Sequence, residues 1–91
     1  MKPDSGSIER ELRQFLDDNF ILDGGAERLD REESLTQAGV LDSMGVLELI
    51  MFIEERFGVQ VPDEDTLPEN LDSVARVVAY VERRLAEAAA A

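Results

Sequence analysis

The chain contains no cysteine and no histidine. These absences exclude a thiolate nucleophile, a disulfide framework, an imidazole acid/base pair and a zinc site of the usual kind, and with them most hydrolase and metalloenzyme mechanisms. Basic residues are scarce: nine stand against 21 acidic ones, for a net charge of −12. Such a surface repels phosphate backbones and anionic membrane surfaces, so nucleic acid is not an expected partner and protein partners should be basic. No apolar run approaches the roughly 18 residues of a membrane span. The opening Met1-Lys2-Pro3-Asp4-Ser5-Gly6-Ser7 lacks the charged-then-apolar pattern of a secretory signal, which makes the cytoplasm the expected location. Aromatic residues are few, four Phe and one Tyr. With so much charge this raises the question of disorder, and the register of the apolar residues answers it.

Ninety-one residues suit one domain, which buries roughly 60–65% of its unfolded surface; the expectation is a single domain over 1–91, with a core at 7–85 and frayed ends at 1–6 and 86–91. Ile8, Leu12, Phe15, Leu16 and Phe20 recur at helical spacing and predict a first helix from near Ser7, with Glu9, Arg10, Arg13, Asp17 and Asp18 on its other side. Asp23-Gly24-Gly25 breaks the pattern, and the polar run to Ser34 reads as a long connection anchored by Leu35, Val40 and Leu41. From Ser43 to Phe57, Val46, Ile50, Ile53 and Phe57 predict the core stripe of a second helix, ended by Gly58 as C-cap and by Pro62. Thr66-Leu67-Pro68-Glu69 has capping-box spacing and predicts a short third helix. Val74, Val77, Val78, Val81 and Leu85 define a last one. The expected fold is all-α: a four-helix bundle of three longer helices and one short one, with a long loop between the first and second.

The segment Leu35-Thr36-Gln37-Ala38-Gly39-Val40-Leu41-Asp42-Ser43-Met44 resembles the phosphopantetheine attachment region of acyl carrier proteins, whose signature is Gly, two residues, then Asp-Ser-Leu or Asp-Ser-Met. Glu48-Leu49-Ile50-Met51, Phe57-Gly58-Val59 and Val61-Pro62-Asp63-Glu64-Asp65 resemble the second helix and following acidic loop of that family, and the similarity runs from about Leu35 to Leu85. An Asp-Ser pair alone signifies little, because either residue is a favoured N-cap; the extended spacing carries the resemblance. It implies a non-enzymatic carrier holding acyl or aminoacyl groups as a thioester on a 4'-phosphopantetheine arm, derived from coenzyme A and attached to Ser43. It also implies partners: a phosphopantetheinyl transferase, which Asp42 helps to dock, a loading ligase or transferase, and downstream acyl-processing enzymes. A monomer is expected.

The chemistry of the position agrees with the resemblance. A hydroxyl at a helix start is exposed, and a phosphodiester formed on it sits beside free backbone N–H groups and the positive end of the helix dipole. On a helical wheel Met44, Glu48, Met51 and Glu55 fall together, away from the predicted core stripe, as a candidate partner face; the bland alternative packs both methionines at the edge of the core. Asp63, Glu64 and Asp65 miss the EF-hand spacing and read as a solvated acidic turn rather than a metal site. Gly45 replaces the acidic residue usual in fatty-acid carriers and costs roughly 1 kcal/mol relative to Ala in a helix, so the expectation is that it admits close approach by a partner or the arm. Val40-Leu41-Asp42-Ser43-Met44-Gly45 looks closer to discrete D-alanyl or other aminoacyl carriers than to peptidyl carriers, while a free-standing fatty-acid or polyketide carrier stays open. From another class, an unmodified acidic adaptor that binds a basic partner through its second helix fits the same face.

Overall fold

The computed structural model describes residues 3–20 and 25–90. Helix α1 spans Ser5–Asn19, a 3-10 turn follows at Gly25–Arg28, and α2 spans Ser43–Phe57. A second 3-10 turn at Asp63–Asp65 precedes the one-turn α3 at Pro68–Leu71, and α4 runs Val74–Ala90. Among the described residues there is no strand, and the chain is the expected all-helical bundle. The Cα radius of gyration is 12.3 Å, close to the ~12 Å of a compact chain of this length. The acidic composition therefore does not expand it.

Apolar burial joins α1 to α4. Ile8, Leu12 and Leu16 are fully buried against Val74, Val77, Val78 and Val81, with Leu35, Leu49 and Ile53 completing the centre. The backbones of α1 and α4 approach closely, as do those of α2 and α4, whereas α1 meets α2 chiefly through aromatic rings. Phe15 stacks on Phe52 with centroids 4.4 Å apart, and Phe52 meets Phe57 edge-on. Offset or edge-on ring pairs of this kind add about 0.5–1.5 kcal/mol beyond area burial.

The core stripe expected on α2 is displaced. Gly45, Leu49 and Ile53 are the buried residues, while Val46, Ile50 and Phe57 pack half-buried at the margin. At about 100° per residue, the observed stripe lies roughly a fifth of a turn from the predicted one. The reason is that α2 packs on two neighbours at once: Phe52 stacks on Phe15 of α1, while Leu49 and Ile53 are buried in one cluster with side chains of both α1 and α4.

Two helix ends also differ from expectation. Helix α1 starts two residues before Ser7, because Asp4 Oδ1 accepts the Ser7 N–H at 2.7 Å and caps it. Helix α4 continues through the expected frayed tail to Ala90; alanine has the highest helix propensity, and an Arg84–Glu87 pair bridges one turn. Thr66 caps nothing. The N-cap position of α3 is Leu67, with no side-chain cap bond, and the Thr66 N–H bonds the Asp63 carbonyl to close the 3-10 turn. Gly58 is the C-cap of α2 as expected, in the left-handed region at φ 69°. The predicted break at Asp23-Gly24 lies outside the described residues.

The connection before α2 is held mainly by polar ties. Arg13 donates to the carbonyls of Ala26 (2.6 Å) and Leu29 (3.0 Å), and Asp17 accepts the Ala26 N–H. Glu9 holds Arg13 and Arg31 together. Burial acts to raise the Glu9 pKa, but hydrogen bonds and charge from Arg31 and Arg13 outweigh it and hold the carboxyl below its ordinary value. Further on, Asp72 accepts from the Ser34 hydroxyl (2.5 Å) and the Thr36 N–H (2.9 Å), while its carbonyl takes the Leu35 N–H. Leu35 and Leu41 are buried as the anticipated anchors, with Val40 half-buried.

Candidate functional site

The turn Gly39–Asp42 delivers Ser43 to the first position of α2. Gly39 has φ 79°, which a residue with a side chain rarely adopts. The Val40 and Leu41 N–H groups then both bond the Leu35 carbonyl, closing the approach to the helix. Asp42 is extended and acts as N-cap: its Oδ1 accepts the Gly45 N–H at 2.8 Å and its carbonyl accepts that of Val46 at 2.9 Å. The N–H groups of Ser43 and Met44 fall among the helix-start donors that have no intrahelical acceptor. Ser43 is exposed. An anion on its oxygen therefore meets two helix-start donors and the positive end of a four-turn helix.

Gly45 has a local cause that differs from the expectation. A Cβ there would stand 3.2 Å from both Leu41 Cδ2 and Phe20 Cε1 and 3.3 Å from Asp42 Oδ1. A side chain there would press on this chain's own Leu41 and Phe20, so internal packing favours glycine, and Gly45 also lines the depression beside Ser43. A side chain at this position needs Leu41 and Phe20 to give by a few tenths of an ångström. Outward of Gly45, a depression of about 310 Å³ beside the serine is lined by Gly39, Asp42, Met44 and Glu48, among others.

Met44, Glu48, Met51 and Glu55 are all exposed on one side of α2. Met44 at 66% and Met51 at 58% exposure do not pack at the edge of the core. The sequence reading missed Leu47, which is 55% exposed and completes an apolar strip with Met44 and Met51 at i, i+3 and i+7. That spacing was visible as a second helical stripe; the core stripe, placed too far round the wheel, obscured it. On the α3 flank of α2 an apolar cleft of about 120 Å³ lies among Val46, Leu67, Pro68 and Leu71.

The acidic turn at Asp63–Asp65 is structural at one position. The buried Tyr80 donates its hydroxyl to Asp65 Oδ2 at 2.7 Å. Burial, then that hydrogen bond and the charge of Asp65, push the phenol up to about 12, against the opposing charges of Arg84 and Arg83.

A helical bundle that shows solvent a hydroxyl at a capped helix start, with an adaptable apolar and acidic face beside it, has the layout of a carrier domain. A family model described as a phosphopantetheine attachment site matches residues 21–81. The chain is also 35% identical over 77 residues to an acyl carrier protein of Akkermansia muciniphila, covering 85% of this chain and 91% of that protein. The chain belongs to the acyl carrier protein family. It is a non-catalytic carrier whose prosthetic group is 4'-phosphopantetheine, and it works with modifying and processing enzymes. The start of α2 fits such a group, with an exposed hydroxyl and the helix-start N–H groups of Ser43 and Met44 beside it for the phosphate. No helix among the described residues is long and apolar enough to cross a membrane.

Proposed function

We propose that Ser43 is the residue that carries the 4'-phosphopantetheine arm, and that the chain presents acyl or aminoacyl groups on it as thioesters to the enzymes of a biosynthetic pathway. The observation that carries this reading is the exposed hydroxyl of Ser43 at the first position of α2, between the capping Asp42 and the exposed Met44. In the attachment reaction, Ser43 Oγ forms a P–O bond to the pyrophosphate of coenzyme A, the bridging P–O bond breaks, and the nucleotide leaves with the other phosphate. The hydroxyl proton passes to a base of the transferase, since this chain has no imidazole or thiol for that role. Ser43 and Met44 N–H groups then hold the phosphodiester at the helix start, and the arm supplies the thiol that bears the cargo.

Asp42, Met44, Glu48, Met51 and Glu55 form the partner face of this reading. Methionine adapts to varied apolar surfaces, and the carboxylates steer basic partners; exposure of all five residues supports the assignment. The partners are a phosphopantetheinyl transferase, a loading ligase or transferase, and downstream acyl-processing enzymes. The chain acts as one carrier domain over 1–91, as a monomer in the cytoplasm. The Val40–Gly45 segment favours a discrete carrier served by a dedicated ligase, such as a D-alanyl or other aminoacyl carrier, with a free-standing fatty-acid or polyketide carrier as the alternative.

Co-expression with a broad-specificity phosphopantetheinyl transferase tests the proposal. Intact-mass measurement is expected to find one added phosphopantetheinyl group on the wild type and none on Ser43→Ala. An unmodified wild type that still binds basic partners would instead favour an acidic adaptor.

A further inference from the structure

The depression beside Ser43 is one end of a longer feature. It is bounded by Asn19 and Glu48, which also bound a second depression floored by Phe15 and Phe52. Phe15, Asn19 and Phe52 continue into a third, which reaches Glu11, Asp18 and Arg56. The three make one groove along the seam of α1 and α2, which exists because stacked rings rather than close backbones join these helices there.

The two flanks of α2 differ in charge. Along the seam, Asp18 stands on the α1 side and Glu48 and Glu55 on the α2 side, all exposed. The one cation lining the groove among the described residues, Arg56, is paired with Glu11. The cleft on the α3 flank is lined by Val46, Leu67, Pro68 and Leu71 with the neutral Thr36 and Thr66 and one carboxylate, Asp72, whose two oxygens are already engaged by Ser34 and Thr36. The seam thus combines half-buried aromatic rings and an exposed Met51 with carboxylates on both sides.

We infer that this seam is a docking groove for a basic amphipathic helix of a partner enzyme, laid lengthwise with its apolar stripe on Phe15, Phe52 and Met51 and its Lys or Arg side chains between Asp18 and the pair Glu48 and Glu55. The inference rests on the carrier reading above and makes α1 half of the partner surface. From Met44 to Arg56 the groove follows α2 for about 18 Å, the length of about three helical turns. A second copy of this chain is a poor occupant, because both would bring a net charge of −12. A helix lying in the seam leaves the outward side of Ser43 free, so a partner can hold the carrier while the arm enters its active site.

The test is a titration of the full-length, isotopically labelled chain with a synthetic Leu/Lys amphipathic peptide of about 14 residues, followed by NMR and by binding measurement at low salt. Shifts are expected along residues 11–19 and 44–56. Asp18→Lys on α1 should weaken binding about fivefold, while Glu82→Lys on α4, the same change in charge elsewhere, stays within about twofold. Circular dichroism checks that both variants fold. Equal weakening by the two variants, shifts confined to residues 44–71, or no binding by the wild type overturns the inference. Phosphopantetheine addition to the wild type, read separately by mass, reports on the carrier reading whichever way the peptide result falls.

Discussion

The three long helices and the stretch joining the first two are held in place by different forces, and the two regions should fail differently. Helices α1, α2 and α4 rest on a shared apolar interior in which Ile8, Leu12, Leu49, Ile53, Val74 and Val81 have no exposed surface. The connection over 25–42 contributes Ala26, Leu35 and Leu41 to that interior but is otherwise tied by Arg13, Asp17 and Asp72 to the helices around it. Burial is non-directional and tolerates some repacking, whereas a hydrogen bond to a backbone carbonyl has one geometry. Ser43, the proposed attachment residue, stands where the regions meet: Gly39 to Asp42 belong to the tied stretch, and Gly45 onward to the packed helix.

Four substitutions separate the two regimes. Leu49→Ala removes a fully buried side chain at the meeting of α1, α2 and α4 and should cost about 2–5 kcal/mol in denaturant unfolding. Arg13→Ala strips the donors from the Ala26 and Leu29 carbonyls and should cost about 1–3 kcal/mol. Its loss should appear first as faster amide exchange over 25–31, with α2 still protected.

Asp72→Asn weakens the ties to Ser34 and Thr36 and should cost about 1–2 kcal/mol near neutrality. Burial acts to raise the Asp72 pKa, but the Ser34 hydroxyl, the Thr36 N–H and side chain, and the charge of Arg76 together lower it. A folded value below the unfolded ~3.9 means the ionised tie contributes fully above that pH and is lost as pH falls through the folded value. The gap between wild type and Asp72→Asn should therefore close below about pH 4. Thr66→Ala is the smallest change, within about 0.5 kcal/mol, because the hydroxyl caps no helix. A cost above 1 kcal/mol would restore the capping box that the sequence spacing implied.

The same division explains what could be read from sequence. Periodicity found α1, α2 and α4 and the Gly58 cap, because each depends on residues within a few positions of one another. It misplaced the buried stripe of α2, since Leu49 is interior only through the positions of α1 and α4, and periodicity within one helix does not register two neighbours. Arg13 and Asp17 look like a solvated face of α1, and their grip on the loop depends on contacts 9 to 16 residues away. The exposure of Ser43, Met44 and Met51 was legible, as was the acidic character beside them. The reason for Gly45 was not, because Phe20 reaches it across 25 residues of chain.

On the proposed function, one particular hydroxyl, that of Ser43, bears the prosthetic arm. Tandem mass spectrometry of the modified chain, with fragments on both sides of each serine, tests this most directly. The whole phosphopantetheinyl adduct is expected on Ser43 and none on Ser5, Ser7, Ser34 or Ser73. An adduct on any of those, or a wild type that stays unmodified beside a working transferase, would contradict it.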